Sequence, residues 1–83
     1  MRLVYFAAVR EAIGVAFETC DLPAHVRNIH DAIDWLAGQS SGHALAFQDK
    51  SRLRFALDQA MVPLDAAIGE AQELAIFPPV TGG

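Results

Sequence analysis

Glu73-Leu74-Ala75-Ile76-Phe77-Pro78-Pro79-Val80-Thr81-Gly82-Gly83 closes the sequence, and its character changes abruptly after Phe77. The first five residues read as a strand whose parity sends Leu74 and Ile76 inward and leaves Phe77 on the other face. Pro78 and Pro79 then fix φ at about −65°, keep Phe77 and Pro78 out of the helical region, and favour an extended stem that holds the last residues away from the body. Gly82 and Gly83 lack a Cβ, so the tip can enter a narrow cleft that any side chain would block. A strand, a stiff stem and a sterically bare tip ending on the Gly83 carboxylate are expected. A frayed terminus without a role is the plain alternative.

Working back from that strand, residues 52–58 alternate more cleanly than any other segment. Leu53, Phe55 and Leu57 face inward and Arg52, Arg54 and Asp58 outward, which predicts a strand with one wet face. Ala60-Met61-Val62-Pro63 is a shorter strand closed by proline, and residues 64–72 form a loop with at most one helical turn. Upstream, Ile29, Ala32, Ile33, Leu36 and Ala37 recur at the spacing of a helix with one apolar face, and Asn28 is placed to cap it by accepting from the backbone near Asp31. Two glycines and Ser40-Ser41 end this helix between residues 38 and 42. Trp35 packs at the edge of the stripe, and Ala44-Leu45-Ala46-Phe47 is compatible with one further helical turn.

Arg2 to Ala8 is rich in β-branched and aromatic residues and reads as a first strand, with Leu3, Tyr5 and Ala7 on one side and Val4, Phe6 and Ala8 on the less buried side. A turn over residues 10–14 leads to a second, antiparallel strand from Val15 to Cys20, with Phe17 inward and Glu18 outward. The order strand, strand, helix, then three strands implies an α+β sheet with one main helix across one face.

Composition narrows the function classes. With 83 residues the chain makes one domain, and with 53% hydrophobic residues it has apolar surface to spare for a partner. Six basic against ten acidic residues give a formal charge of −4, the wrong sign for phosphate-driven nucleic-acid binding. No apolar run reaches the length of a membrane span and the N-terminus lacks a secretion signal, so a soluble cytoplasmic protein is expected. Cys20 stands alone and reads as a half-buried strand residue; His25, His30 and His43 lack metal-ligand spacing and read as surface residues, so no metal site is expected. The carboxylates of Asp31, Asp34, Asp49, Asp58, Asp65, Glu70 and Glu73 read as solvated charges. The unusual reactive group is the terminal carboxylate.

Phe77-Pro78-Pro79-Val80-Thr81-Gly82-Gly83 resembles the terminal signature of the small, sulfur-carrying subunits of molybdopterin synthase, members of the ubiquitin-like MoaD/ThiS superfamily. Val4-Tyr5-Phe6-Ala7-Ala8-Val9-Arg10-Glu11 is similar to that family's first strand and its exit, so the resemblance covers nearly the whole chain. It implies a ubiquitin-like β-grasp over residues 1–77 with an extended tail over 78–83, the first and last strands running parallel at the sheet centre, and Phe6 near Phe77 on the face away from the helix. It implies that an ATP-dependent, ubiquitin-activating-like adenylyltransferase adenylates Gly83, and that a sulfur donor displaces AMP to leave a terminal thiocarboxylate. The large synthase subunit then takes in the tail, with Gly82 threading its cleft, and the sulfur passes to a cyclic pyranopterin monophosphate. The small chain itself binds no cofactor in this scheme, and most catalytic groups lie on the large subunit, its partner in a heterotetramer. Phe6, Arg10, Met61, Phe77, Pro78, Pro79, Val80 and Thr81 are the partner-binding candidates.

Two departures affect turns. Glu70-Ala71-Gln72-Glu73, preceded by Gly69, stands where the family carries an Asp-Gly-Asp-Glu-type turn, and Leu57-Asp58 where it often has Val-Asn. Other readings share the same tail: a carrier for thiazole synthesis, which usually lacks the Phe-Pro-Pro-Val stem; a ubiquitin-like modifier joined to lysines through Gly83; and a binding module whose apolar face alone is functional.

Overall fold

The computed structural model describes residues 1–79. In chain order the elements are β1 (Arg2–Tyr5), α1 (Ala7–Ile13), β2 (Phe17–Thr19), α2 (Ile29–Ala37), α3 (Ser41–Ala46), a 3-10 turn (Lys50–Arg52), β3 (Arg54–Leu57), β4 (Ala60–Val62) and β5 (Glu73–Phe77). The strands form one mixed sheet in the order β2-β1-β5-β3-β4. β1 and β5 run parallel at its centre, pairing Leu3 with Leu74 and Tyr5 with Ile76, and the remaining pairs are antiparallel. This is the mixed sheet of a ubiquitin-like β-grasp.

The core lies between one face of the sheet and the helices. Leu3, Tyr5, Leu74, Ile76, Phe55 and Leu57 point into it from the three inner strands, and α2 returns Ile29, Ala32, Ile33 and Leu36 at the predicted spacing, all buried. Each fully buried side chain of this size contributes about 1.5–3 kcal/mol over leaving it in water, so the α2 stripe alone is a large share of the driving force. Asn28 caps α2 as expected, its Oδ1 accepting from the Asp31 amide at 2.8 Å, and the helix ends on Gly38.

The helical content exceeds the expectation of one main helix. Where residues 7–14 are expected to finish a strand and turn, the chain forms α1. Ala7 takes φ 50°, Phe6 precedes the helix in an extended conformation, and Gly14 ends it in the left-handed region at φ 97°. The cause is visible in Val9 and Ile13, one helical turn apart and packed into or against the core. α3 is a full short helix rather than one turn, capped by Ser40, whose Oγ accepts from the His43 amide at 3.1 Å.

The turns that depart from the family pattern have definite geometry. Asp58 and Gln59 both take positive φ, 46° and 72°, making the tight β3–β4 hairpin turn. The Asp58 side chain, expected to be merely solvated, accepts from the amides of both Gln72 and Glu73 at 3.0 Å and so ties that hairpin to the start of β5. Gly69 supplies φ 56° in the preceding loop.

Candidate functional site

The sheet face opposite the helices is apolar and open. Register places Phe17, Val4, Ala75, Ala56 and Met61 in one row across all five strands, since Val4 pairs with Phe17 and Ala75, and Ala56 with Ala75 and Met61. The small alanines keep the middle of the row low, while Phe17 and Met61 stand at its two edges, 53% and 64% exposed. Beside the row, Phe6 and the half-buried Phe77 meet edge to face with ring centroids 6.1 Å apart, and Phe6 remains 47% exposed. The predicted neighbours are thus brought together, at the C-terminal end of the two parallel central strands.

Polar groups rim this face. Arg54 pairs in register with Phe77, and Arg2 approaches Glu73 at 3.8 Å while its guanidinium lies 4.3 Å from the Phe17 ring centre. Arg10, a partner-binding candidate, is exposed and sits on α1 rather than in a turn.

Alternation in the sequence places Phe17 inside and Glu18 outside; the structure reverses both. The pairing of Leu3 with Glu18 turns Glu18 toward the helices, and that of Val4 with Phe17 turns Phe17 onto the open face. The signal available in the sequence is Cys20, two residues from Glu18 on the same side, whose half-buried character marks that parity as inward.

Glu18 is accommodated by donors. Its Oε2 accepts from the Tyr5 hydroxyl at 2.6 Å and lies 2.7 Å from His43 Nε2, while His43 Nδ1 lies 2.7 Å from Ser40 Oγ. His43, expected at the surface, is therefore a buried residue joining α3 to β2 and β1. Burial pushes the Glu18 carboxyl up, but the hydrogen bonds from Tyr5 and His43 outweigh it and hold it below the ordinary value. Burial, reinforced by the hydrogen bond and charge of Glu18, raises the Tyr5 phenol. This network fixes α3 against the sheet.

At the root of the tail, Pro78 and Pro79 are half-buried. They line a groove of about 530 Å³ with Ala8 and Ala12 of α1, Leu45 of α3, and Arg52. The stem therefore lies along the body rather than standing clear of it. Val80, Thr81, Gly82 and Gly83, the remaining candidates, lie outside the described residues. Among the described residues no cluster of His, Cys, Asp and Glu is arranged to hold a metal ion.

Comparison with known proteins extends over the full length. A model of the ThiS family matches residues 3–83. The chain is 35% identical over 83 residues to the molybdopterin synthase sulfur carrier subunit of Haemophilus influenzae, and 34% identical over 83 residues to that of Escherichia coli. In both cases the match covers 100% of this chain and 99% of the relative. Among solved structures, SAMP1 from Haloferax volcanii superposes with a TM-score of 0.72 at 26% identity, covering 100% of this chain and 98% of the other.

Proposed function

This chain belongs to the ThiS family, and from that premise we propose that it is the sulfur carrier subunit of a molybdopterin synthase. The observation that carries the reading is the match with two sulfur carrier subunits over 100% of this chain and 99% of each relative. The chemistry comes from the tail. A carboxylate repels nucleophiles and has no good leaving group, so Gly83 must first be adenylated by an ATP-consuming partner. A sulfur donor then displaces AMP and leaves a thiocarboxylate.

The fold supports this division of labour. β5 runs at the sheet centre and delivers Pro78 beside the exposed Phe6–Phe77 pair, so a partner seated on the open face lies next to the emerging tail. In this reading Phe6, Arg10, Met61, Phe77 and the stem dock the large subunit. Val80, Thr81 and Gly82 pass into its cleft, where the Gly83 sulfur meets a pyranopterin phosphate. The likeness to SAMP1, a small archaeal modifier protein, favours a second reading in which a lysine rather than sulfur attacks activated Gly83. It rests on lower identity than the carrier reading.

Deleting Gly83 should abolish sulfur transfer to the pterin while leaving thermal unfolding unchanged, because residues 1–79 already hold the sheet and its core. Molybdopterin formation by the truncated protein with its activating enzyme and large subunit would sink the proposal. Gly82→Val should likewise slow adenylation or transfer by steric exclusion, and unchanged rates for both steps would argue against a threaded tail.

A further inference from the structure

Lys50 is the only lysine in the sequence, and therefore the only side-chain amine. It is also engaged. Lys50 Nζ is paired with Asp34 Oδ1 and lies 3.1 Å from His30 Nε2, while His30 Nδ1 lies 3.3 Å from Asp34 Oδ2. An ammonium can only donate, so His30 accepts through Nε2 and carries its proton on Nδ1, directed at Asp34. The three side chains thus close a ring between α2 and the 3-10 turn. The Lys50 side chain is only 28% exposed within it, and the hydrogen bond and charge of Lys50 hold the Asp34 carboxyl below its ordinary value.

Resting on the carrier reading above, we propose that Lys50 is the one side-chain amine that an activated Gly83 could acylate, and that Asp34 and His30 withhold it. The protein can then hold an activated acyl group without condensing with its own copies through a lysine. The step being suppressed is ordinary aminolysis. A neutral amine attacks the acyl carbon of the adenylate, a C–N bond forms, the C–O bond to phosphate breaks, and AMP departs with the electron pair. The surplus amine proton passes to solvent. An ammonium whose N–H groups point at Asp34 and His30 has no lone pair to offer, and must lose both a proton and its partners first. The same geometry bears on the modifier reading: a protein that builds chains of itself through lysine would have Lys50 alone to use.

The test is separable from the carrier reading because it needs no activating enzyme. Limited acetylation with N-acetoxysuccinimide, followed by peptide mapping, reads the rate at Lys50 directly. Asp34→Ala should raise that rate about three- to fivefold, the range open to a partly exposed ion pair, and His30→Ala should raise it less. Equal rates at Lys50 in wild type and both variants would overturn the inference. In a second arm, Asp34→Ala incubated with the activating enzyme and ATP should yield a covalent dimer joined at Lys50, lost again in Asp34→Ala/Lys50→Arg. Wild type forming that dimer as fast as Asp34→Ala would also overturn it. Failure of wild type to be adenylated at all would instead count against the carrier reading.

Discussion

Glu18 receives two hydrogen bonds in a site that also shields it from water, and this couples the stability of the fold to pH. Its folded pKa lies below the ordinary 4.5, so the stability it contributes is full above pH 4.5 and is lost as the pH falls through the lower folded value. Replacing Glu18 by Ala should cost about 1–3 kcal/mol at neutral pH by leaving Tyr5 and His43 without their acceptor. Urea unfolding over a pH series should show that deficit shrinking in acid; a constant deficit would assign it to packing instead. Residues of this kind are the least legible in the sequence. Glu18, Tyr5, His43 and Ser40 become one network only when partners up to 25 residues apart meet, and an isolated histidine or glutamate reads by default as a surface group. Asp58 is illegible for the same reason, since the amides it accepts from lie 14 and 15 residues downstream. Asn28, whose partner is three residues away, is legible as a cap.

At the scale of elements, α1 and α3 pack so closely that Gly42 has no room for a side chain. A Cβ built there would stand 2.5 Å from the Ala12 carbonyl oxygen. Gly42→Ala sets two effects in opposition: alanine favours a helical position by at most about 1 kcal/mol, less in a first turn such as this, whereas overpacking costs about 1–3 kcal/mol. The clash is with backbone and so should win, lowering the thermal midpoint; a rise would mean that α3 can shift off α1 freely. In the sequence Gly42 is legible only as a glycine that fails to continue the preceding helix. Its role inside the next one depends on α1, which the sequence conceals. Val4 to Ala8 is strand-like in composition, and a helix of only seven residues leaves few turns over which a period can be counted. β5 and α2 are clear because each carries its full period: β5 spans Glu73–Phe77 as expected, and α2 buries four of its five predicted apolar positions, with Ala37 half-buried.

For the molecule as a whole, the exposed Phe17 and Met61 at the two ends of the row and the adjoining Phe6–Phe77 pair form an apolar face of the kind that small proteins keep for a partner. Phe6→Ala or Met61→Ala should weaken association with the large synthase subunit by on the order of 2 kcal/mol, as for residues central to an interface. Folding stability should fall by less, since both side chains are about half exposed or more. Calorimetric titration of the folded variants would remove this face from the interface if affinity were unchanged. The topology is readable through the family resemblance, and the Phe6–Phe77 neighbourhood because strand parity agrees with it, whereas the Phe17 edge is not, because a three-residue strand carries too little alternation to fix its own face. The most direct test of the carrier account is the intact mass of the protein isolated from its native cell. The account predicts a population heavier by the replacement of one oxygen with sulfur, localised to the Gly83 peptide. Unmodified protein accompanied by a ladder of larger lysine-linked conjugates would contradict it.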